Sequence, residues 1–138
     1  MSLLVLDCSI ALAWIFPDEA SPATDAVLDR VSREGAIVPA LWHLELGNVL
    51  VMAERRGRLT WAEAQRRLQL LGHLGIETAV ATDPAPVFDL ARAERLTVYD
   101  ATYLHMALGG GFDLATLDRP LGAAAKRLGV QVVPAVAD

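Results

Sequence analysis

Apolar residues in this chain fall into two kinds of run. Leu3–Leu6, Ala36–Val38, Ile76–Val80 and Asp113–Thr116 are short apolar-rich stretches, with Gln131–Val133 as a fifth. They are too short for helices and predict buried parallel strands. Between them lie longer segments with helical spacing. Cys8–Phe16 ends before Pro17. Ser21-Pro22 reads as N-cap and first helical residue of a segment running to about Glu34, where Gly35 stops it. Leu41–Arg56 is the longest helix, apolar on most sides, with Gly57 after it. Thr60 and Glu63 have capping-box spacing and open a helix to about His73. Pro84–Arg95 and Tyr99–Leu108 follow, and Gly109-Gly-Gly111 breaks the chain. Pro120–Leu128 is the last helix, ended by Gly129.

Strands and helices alternate throughout. The pattern predicts an α/β domain over residues 1–138, with a central parallel sheet of four to five strands and helices on both faces. In such sheets ligands sit beyond the carboxyl ends of the strands. Chemistry is therefore to be sought just after the apolar runs.

Composition narrows the classes. A chain of 138 residues fits one domain and buries roughly two-thirds of its unfolded surface, so it needs no staple. The single cysteine, Cys8, forms no internal disulfide, and no Cys/His group has zinc-ligand spacing. The longest stretch free of charged residues, Ala101–Phe112, has twelve residues, against about 20 for a spanning helix. Asp7 interrupts the N-terminal apolar run too early for a signal peptide. The expectation is a soluble cytoplasmic chain with no membrane partner. A net charge of −5 argues against coating nucleic acid by bulk charge. It leaves room for a phosphodiester handled through a metal.

Four acids stand out. Asp7 is the first residue after the first strand; it also fits an N-cap. Glu45 has Leu41, Trp42 and Val49 as helical neighbours, and a carboxylate on that face is costly unless compensated. Asn48, three residues on, is a candidate hydrogen-bond partner. An exposed glutamate at the stripe's edge is the plainer account. Asp100 opens a helix on the face of Tyr103, Leu104 and Ala107, and Asp118 precedes Pro120; both fit helix caps. Together, four carboxylates at one sheet edge would repel unless a cation sat among them. Hard divalent cations take such oxygens and activate water against a phosphate.

The motifs carrying these acids resemble the PIN-domain family, and within it the VapC-type ribonuclease toxins. Val5-Leu-Asp-Cys-Ser-Ile10 is similar to the first motif and Glu45-Leu-Gly-Asn-Val-Leu50 to a Glu-x-x-Asn segment. Leu96-Thr-Val-Tyr-Asp-Ala-Thr-Tyr-Leu104 resembles the third and Leu114-Ala-Thr-Leu-Asp-Arg-Pro-Leu121 the fourth. The resemblance covers nearly the whole chain in the family's order. It implies that Asp7, Glu45, Asp100 and Asp118 form an acidic metal site for Mg²⁺ or Mn²⁺. It places Ser9 and Thr116 at small polar positions that order that site. It also implies RNA hydrolysis, a homodimer and a cognate antitoxin as partner. In the mechanism so implied, Asp7, Asp100 and Asp118 hold the metal, while Glu45 holds a water or acts as general base.

Arg119 and Asn48 join the candidates as phosphate or supporting contacts, although a solvated arginine at a helix start explains Arg119 equally well. Residues 54–67 hold five arginines against two glutamates, a local basic edge that fits RNA backbone, an antitoxin, or simple solvation. Trp14, Phe16, Trp42, Met52 and Trp61 read mainly as core, with Trp14 or Phe16 as an alternative partner surface. His43, His73 and His105 form no ligand pattern, and Cys8 reads as buried filler. A haloacid-dehalogenase-like site wants an Asp where Ser9 stands. A receiver-like domain wants a lysine on a late strand, whereas Lys126 falls in the last helix. The other class of reading is a non-catalytic PIN-like module that binds RNA or protein.

Overall fold

The computed structural model describes residues 3–135. Five strands form one parallel sheet: β1 (Leu4–Leu6), β2 (Ala36–Val38), β3 (Ile76–Thr78), β4 (Asp113–Ala115) and β5 (Val132–Val133), in the order β3-β2-β1-β4-β5. β1 is fully buried at the centre, because Leu4, Val5 and Leu6 have apolar neighbours on both faces and both edges. Its register pairs Val5 with Ile37 on one side and with Leu114 on the other.

Among the described residues seven α-helices connect the strands: α1 (Cys8–Ile15), α2 (Pro22–Glu34), α3 (Ala40–Arg55), α4 (Trp61–Leu71), α5 (Ala85–Glu94), α6 (Val98–Gly110) and α7 (Arg119–Arg127). The chain winds outward from β1 to β2 and β3, then returns across the sheet to β4 and β5. Right-handed crossovers running in opposite directions put their helices on opposite faces. Accordingly α1 packs with α2 and α3, while α6 packs with α5 and α7 and lies on β1 and β4. Among the described residues no helix is long and apolar enough to cross a membrane.

Local signals account for most helix starts. Ser21 and Thr24 form a reciprocal capping box, as do Thr60 and Glu63. The triple glycine does not break the chain where expected. α6 continues through Gly109 and Gly110, and the left-handed turn falls at Gly111, at φ 65°. α6 also begins earlier than expected, because Thr97 is the residue that caps it. Of the residues read as core, Trp42 and Phe16 are buried and Trp14 and Met52 partly so, but Trp61 is exposed at the first position of α4. Trp14 lies half in, its indole N–H donating to the Thr24 carbonyl at 2.8 Å.

Strand order reverses between β1 and β4, where the chain departs to one side from β1 and to the other from β4. The crevice beyond the carboxyl ends of those two strands is where parallel sheets bind ligands.

Candidate active site

Asp7 leaves β1 directly into that crevice. Its backbone N–H continues the ladder to the Ala115 carbonyl at 2.9 Å. The residue is buried, at 7% exposure, and its side chain makes no capping bond to α1. Its Oδ2 instead accepts from the Thr116 hydroxyl at 2.6 Å and the Ser9 hydroxyl at 2.9 Å. A hydroxyl both donates and accepts, and both are used twice. Ser9 Oγ accepts from the Leu117 N–H at 2.9 Å, and Thr116 Oγ1 from the Asp118 N–H at 3.0 Å. The β4–α7 turn is thereby hung from the Asp7 carboxylate.

That turn places Asp118. It is the N-cap of α7, its Oδ1 accepting from the Leu121 N–H at 2.9 Å. Both aspartates thus occupy N-cap positions, but only Asp118 caps its helix through the side chain, whereas Asp7 gives its Oδ2 to the two hydroxyls. The bond fixes one carboxylate oxygen and leaves Oδ2 without a partner among the described residues.

The other two acids come from different helices. Asp100 is the third residue of α6, not its cap; the Thr97 hydroxyl accepts from its N–H at 3.0 Å. Glu45 is half-buried on α3. Its partner is the Tyr103 hydroxyl, which donates to Glu45 Oε1, and not Asn48, which is exposed on α3 without a bond to it. Sequence reasoning missed this pairing. Tyr103 is wholly buried, and the available signal was its spacing of three from Asp100, which puts both on one face of α6.

The electrostatics tie the four together. Burial raises the Asp7 carboxyl above the ordinary range, against its two hydroxyl bonds and a bond from the Cys8 N–H, and Asp118 raises it further. Glu45 is raised by burial, eased by the Tyr103 bond and raised further by the Asp7 charge. Asp100 is pushed up to about 6 by burial and then by Asp118, Asp7 and Glu45. Among the described residues no Lys, Arg or His pairs with any of the four. Burial and the nearby Asp7 and Glu45 charges push the Cys8 thiol up to about 12, so it stays protonated and is no nucleophile.

The donor set is all oxygen and negatively charged, which suits Mg²⁺ or Mn²⁺ over softer metals. As they stand, no three His, Cys, Asp or Glu side chains among the described residues are close enough to hold an ion.

The basic edge is partly spoken for. Arg58 bonds Asp18 and Glu19 and stacks 4.0 Å above the Phe16 ring. Arg67 donates to the Ile15 carbonyl and lies 3.8 Å from Glu63. Arg55 points a nitrogen at the Met52 sulfur at 3.5 Å. Arg119 is exposed at the start of α7.

The PIN domain model matches residues 4–127, the span that carries all four acids. The chain belongs to the PIN domain family. One relative of this PIN domain is exonuclease VapC9 of Pyrobaculum aerophilum, 37% identical over 93 residues, covering 63% of this chain and 67% of that protein. The crystal structure of PAE2754 from Pyrobaculum aerophilum superposes with a TM-score of 0.75 at 28% identity, over 96% of this chain and 90% of that one. FitAcB from Neisseria gonorrhoeae shares the fold, with a TM-score of 0.52 at 20% identity over 95% and 96% of the two chains.

Proposed function

We propose that this PIN domain, spanning residues 1–138, is a metal-dependent endoribonuclease and the toxin of a toxin–antitoxin pair. The observation that carries the reading is uncompensated charge. Four carboxylates lie around the switch point of a parallel sheet, neighbouring carboxylates raise the proton affinity of Asp7, Glu45 and Asp100, and among the described residues no cationic side chain pairs with any of the four. The nuclease name of VapC9 supports the reaction class.

Asp7, Asp100, Asp118 and Glu45 would hold Mg²⁺ or Mn²⁺. When bound, such an ion supplies charge to the phosphate and leaving oxygens and lowers the pKa of water. The protein's own part is to position and to move a proton. Ser9 and Thr116 fix Asp7, and the α7 cap fixes Asp118. Glu45 would either hold the ion or the attacking water, or act as general base and take that water's proton. The water oxygen bonds to phosphorus as the bond to the leaving oxygen breaks, with no covalent enzyme intermediate. Arg119 and Asn48, both exposed, would contact phosphate.

We further assign the chain to the cytoplasm, as a homodimer silenced by a cognate antitoxin. Val80, at 88% exposure, and Val98 line an apolar groove of about 410 Å³ that fits a protein partner. The rival reading, a non-catalytic PIN-like module, draws on the lack of a closed ligand group among the described residues.

The test is cleavage of a linear and a circular RNA with Mg²⁺ or Mn²⁺, with and without chelator. The expected result is chelator-sensitive cleavage of both, lost in Asp7→Asn. A circle left intact while the linear RNA is degraded would make the enzyme an exonuclease. Equal activity of Asp7→Asn in a clean preparation would refute the site. Failure of the chain to bind Mn²⁺ in calorimetry would favour the non-catalytic module.

A further inference from the structure

We infer that Tyr103 is a positioning residue for Glu45, holding one oxygen of that carboxylate so that the other is presented to the cation. The inference rests on the reading that the four acids bind a divalent ion. Tyr103 lies one turn beyond Asp100 on α6, with its ring wholly buried between that helix and the core. Its hydroxyl donates to Glu45 Oε1, bridging α6 to α3. Among the described residues nothing else donates to the Glu45 side chain.

The two partners differ in freedom. Glutamate has three rotatable side-chain bonds, and Glu45 sits half-buried on a helix face where, among the described residues, no Lys, Arg or His pairs with it. A tyrosine ring locked by packing carries its hydroxyl to a fixed point. Ligand groups are oriented by neighbours whose own rotamers are locked in this way. The same helix face that presents Asp100 therefore sets Glu45 as well, although Glu45 belongs to a different element. The plainer account is that a buried tyrosine hydroxyl needs an acceptor and Glu45 supplies it. On that account, removing the hydroxyl changes stability and nothing else.

Calorimetric Mn²⁺ titration of the native chain, Tyr103→Phe, Glu45→Ala and the double variant separates the two, with melting curves to verify folding. Tyr103→Phe should weaken Mn²⁺ binding roughly 10-fold on the native background and by less than about twofold on the Glu45→Ala background. A folded Tyr103→Phe with native affinity, or the same loss on both backgrounds, overturns the inference while leaving the metal site intact. A native chain that binds no Mn²⁺ overturns the metal reading along with it. Should Tyr103→Phe not fold, the native protein supplies a second readout. The chain has two tyrosines, so ¹³Cζ-labelled tyrosine gives two signals, assigned with Tyr99→Phe. Saturation with diamagnetic Mg²⁺ should shift the Tyr103 signal, and an unmoved signal refutes the coupling.

Discussion

Replacing Asp100 by asparagine should make the metal-free protein more stable while abolishing its activity. Burial and three neighbouring carboxylates raise Asp100 from 3.8 to about 6, which at 1.36 kcal/mol per pH unit disfavours its charged form by about 3 kcal/mol. Asp100 is only partly buried, and solvent screening reduces the usable figure to about 1–2 kcal/mol. Asparagine also forfeits a favourable interaction of about 0.3–1 kcal/mol between a first-turn charge and the helix dipole. The net gain is about 1 kcal/mol, or about 3–4 °C in Tm for a chain of this size. The sign depends on pH. Because the folded-state value lies above the unfolded one, the native fold binds the Asp100 proton more readily. The penalty is absent below about pH 4, grows between about pH 4 and 6, and is complete above that. Melting curves in chelator and low salt should show the variant above the native protein at pH 7.5, with the gap closing at pH 3.5. Mn²⁺ at about 100 times its Kd should add about 2.7 kcal/mol to the native chain alone and reverse the order. A variant that melts at or below the native protein at pH 7.5 in chelator would show that the carboxylates do not burden the fold.

Three further outcomes follow from particular contacts. Thr116→Val removes a 2.6 Å donor from Asp7 and leaves the Asp118 N–H without its acceptor; urea denaturation should register a loss of about 1–3 kcal/mol. Ser9→Ala, at a half-buried position, should cost less. In α6, Gly109→Ala should raise stability by about 0.5–1 kcal/mol, because a Cβ there meets nothing within 4 Å. Gly110→Ala should lower it, since its Cβ would lie 2.1 Å from the Phe112 ring; thermal melts distinguish the pair. Mn²⁺ affinity should rise with pH and level off above about 6, as the Asp100 proton is lost; titrations at pH 5, 6 and 7.5 check this.

The sequence by itself determined the elements and their class. Short apolar runs such as Leu4–Leu6 can be buried only as strands, and capping pairs such as Thr60 and Glu63 are local chemistry that needs no tertiary partner. It also marked Asp7 and Asp118 as acids just after strands. What it left ambiguous was their role, since an aspartate before a helix fits a cap and a ligand equally well. Only the tertiary structure separated the two, by pairing β1 with β4. That pairing joins residues 109 apart in the chain and brings the Thr116 hydroxyl to the Asp7 carboxylate. The same holds for Glu45. Local spacing offered Asn48 as its partner, whereas the partner that packing supplies is Tyr103, 58 residues away. Non-local partners depend on how α3 and α6 approach across the sheet, and no periodicity along the chain encodes that distance.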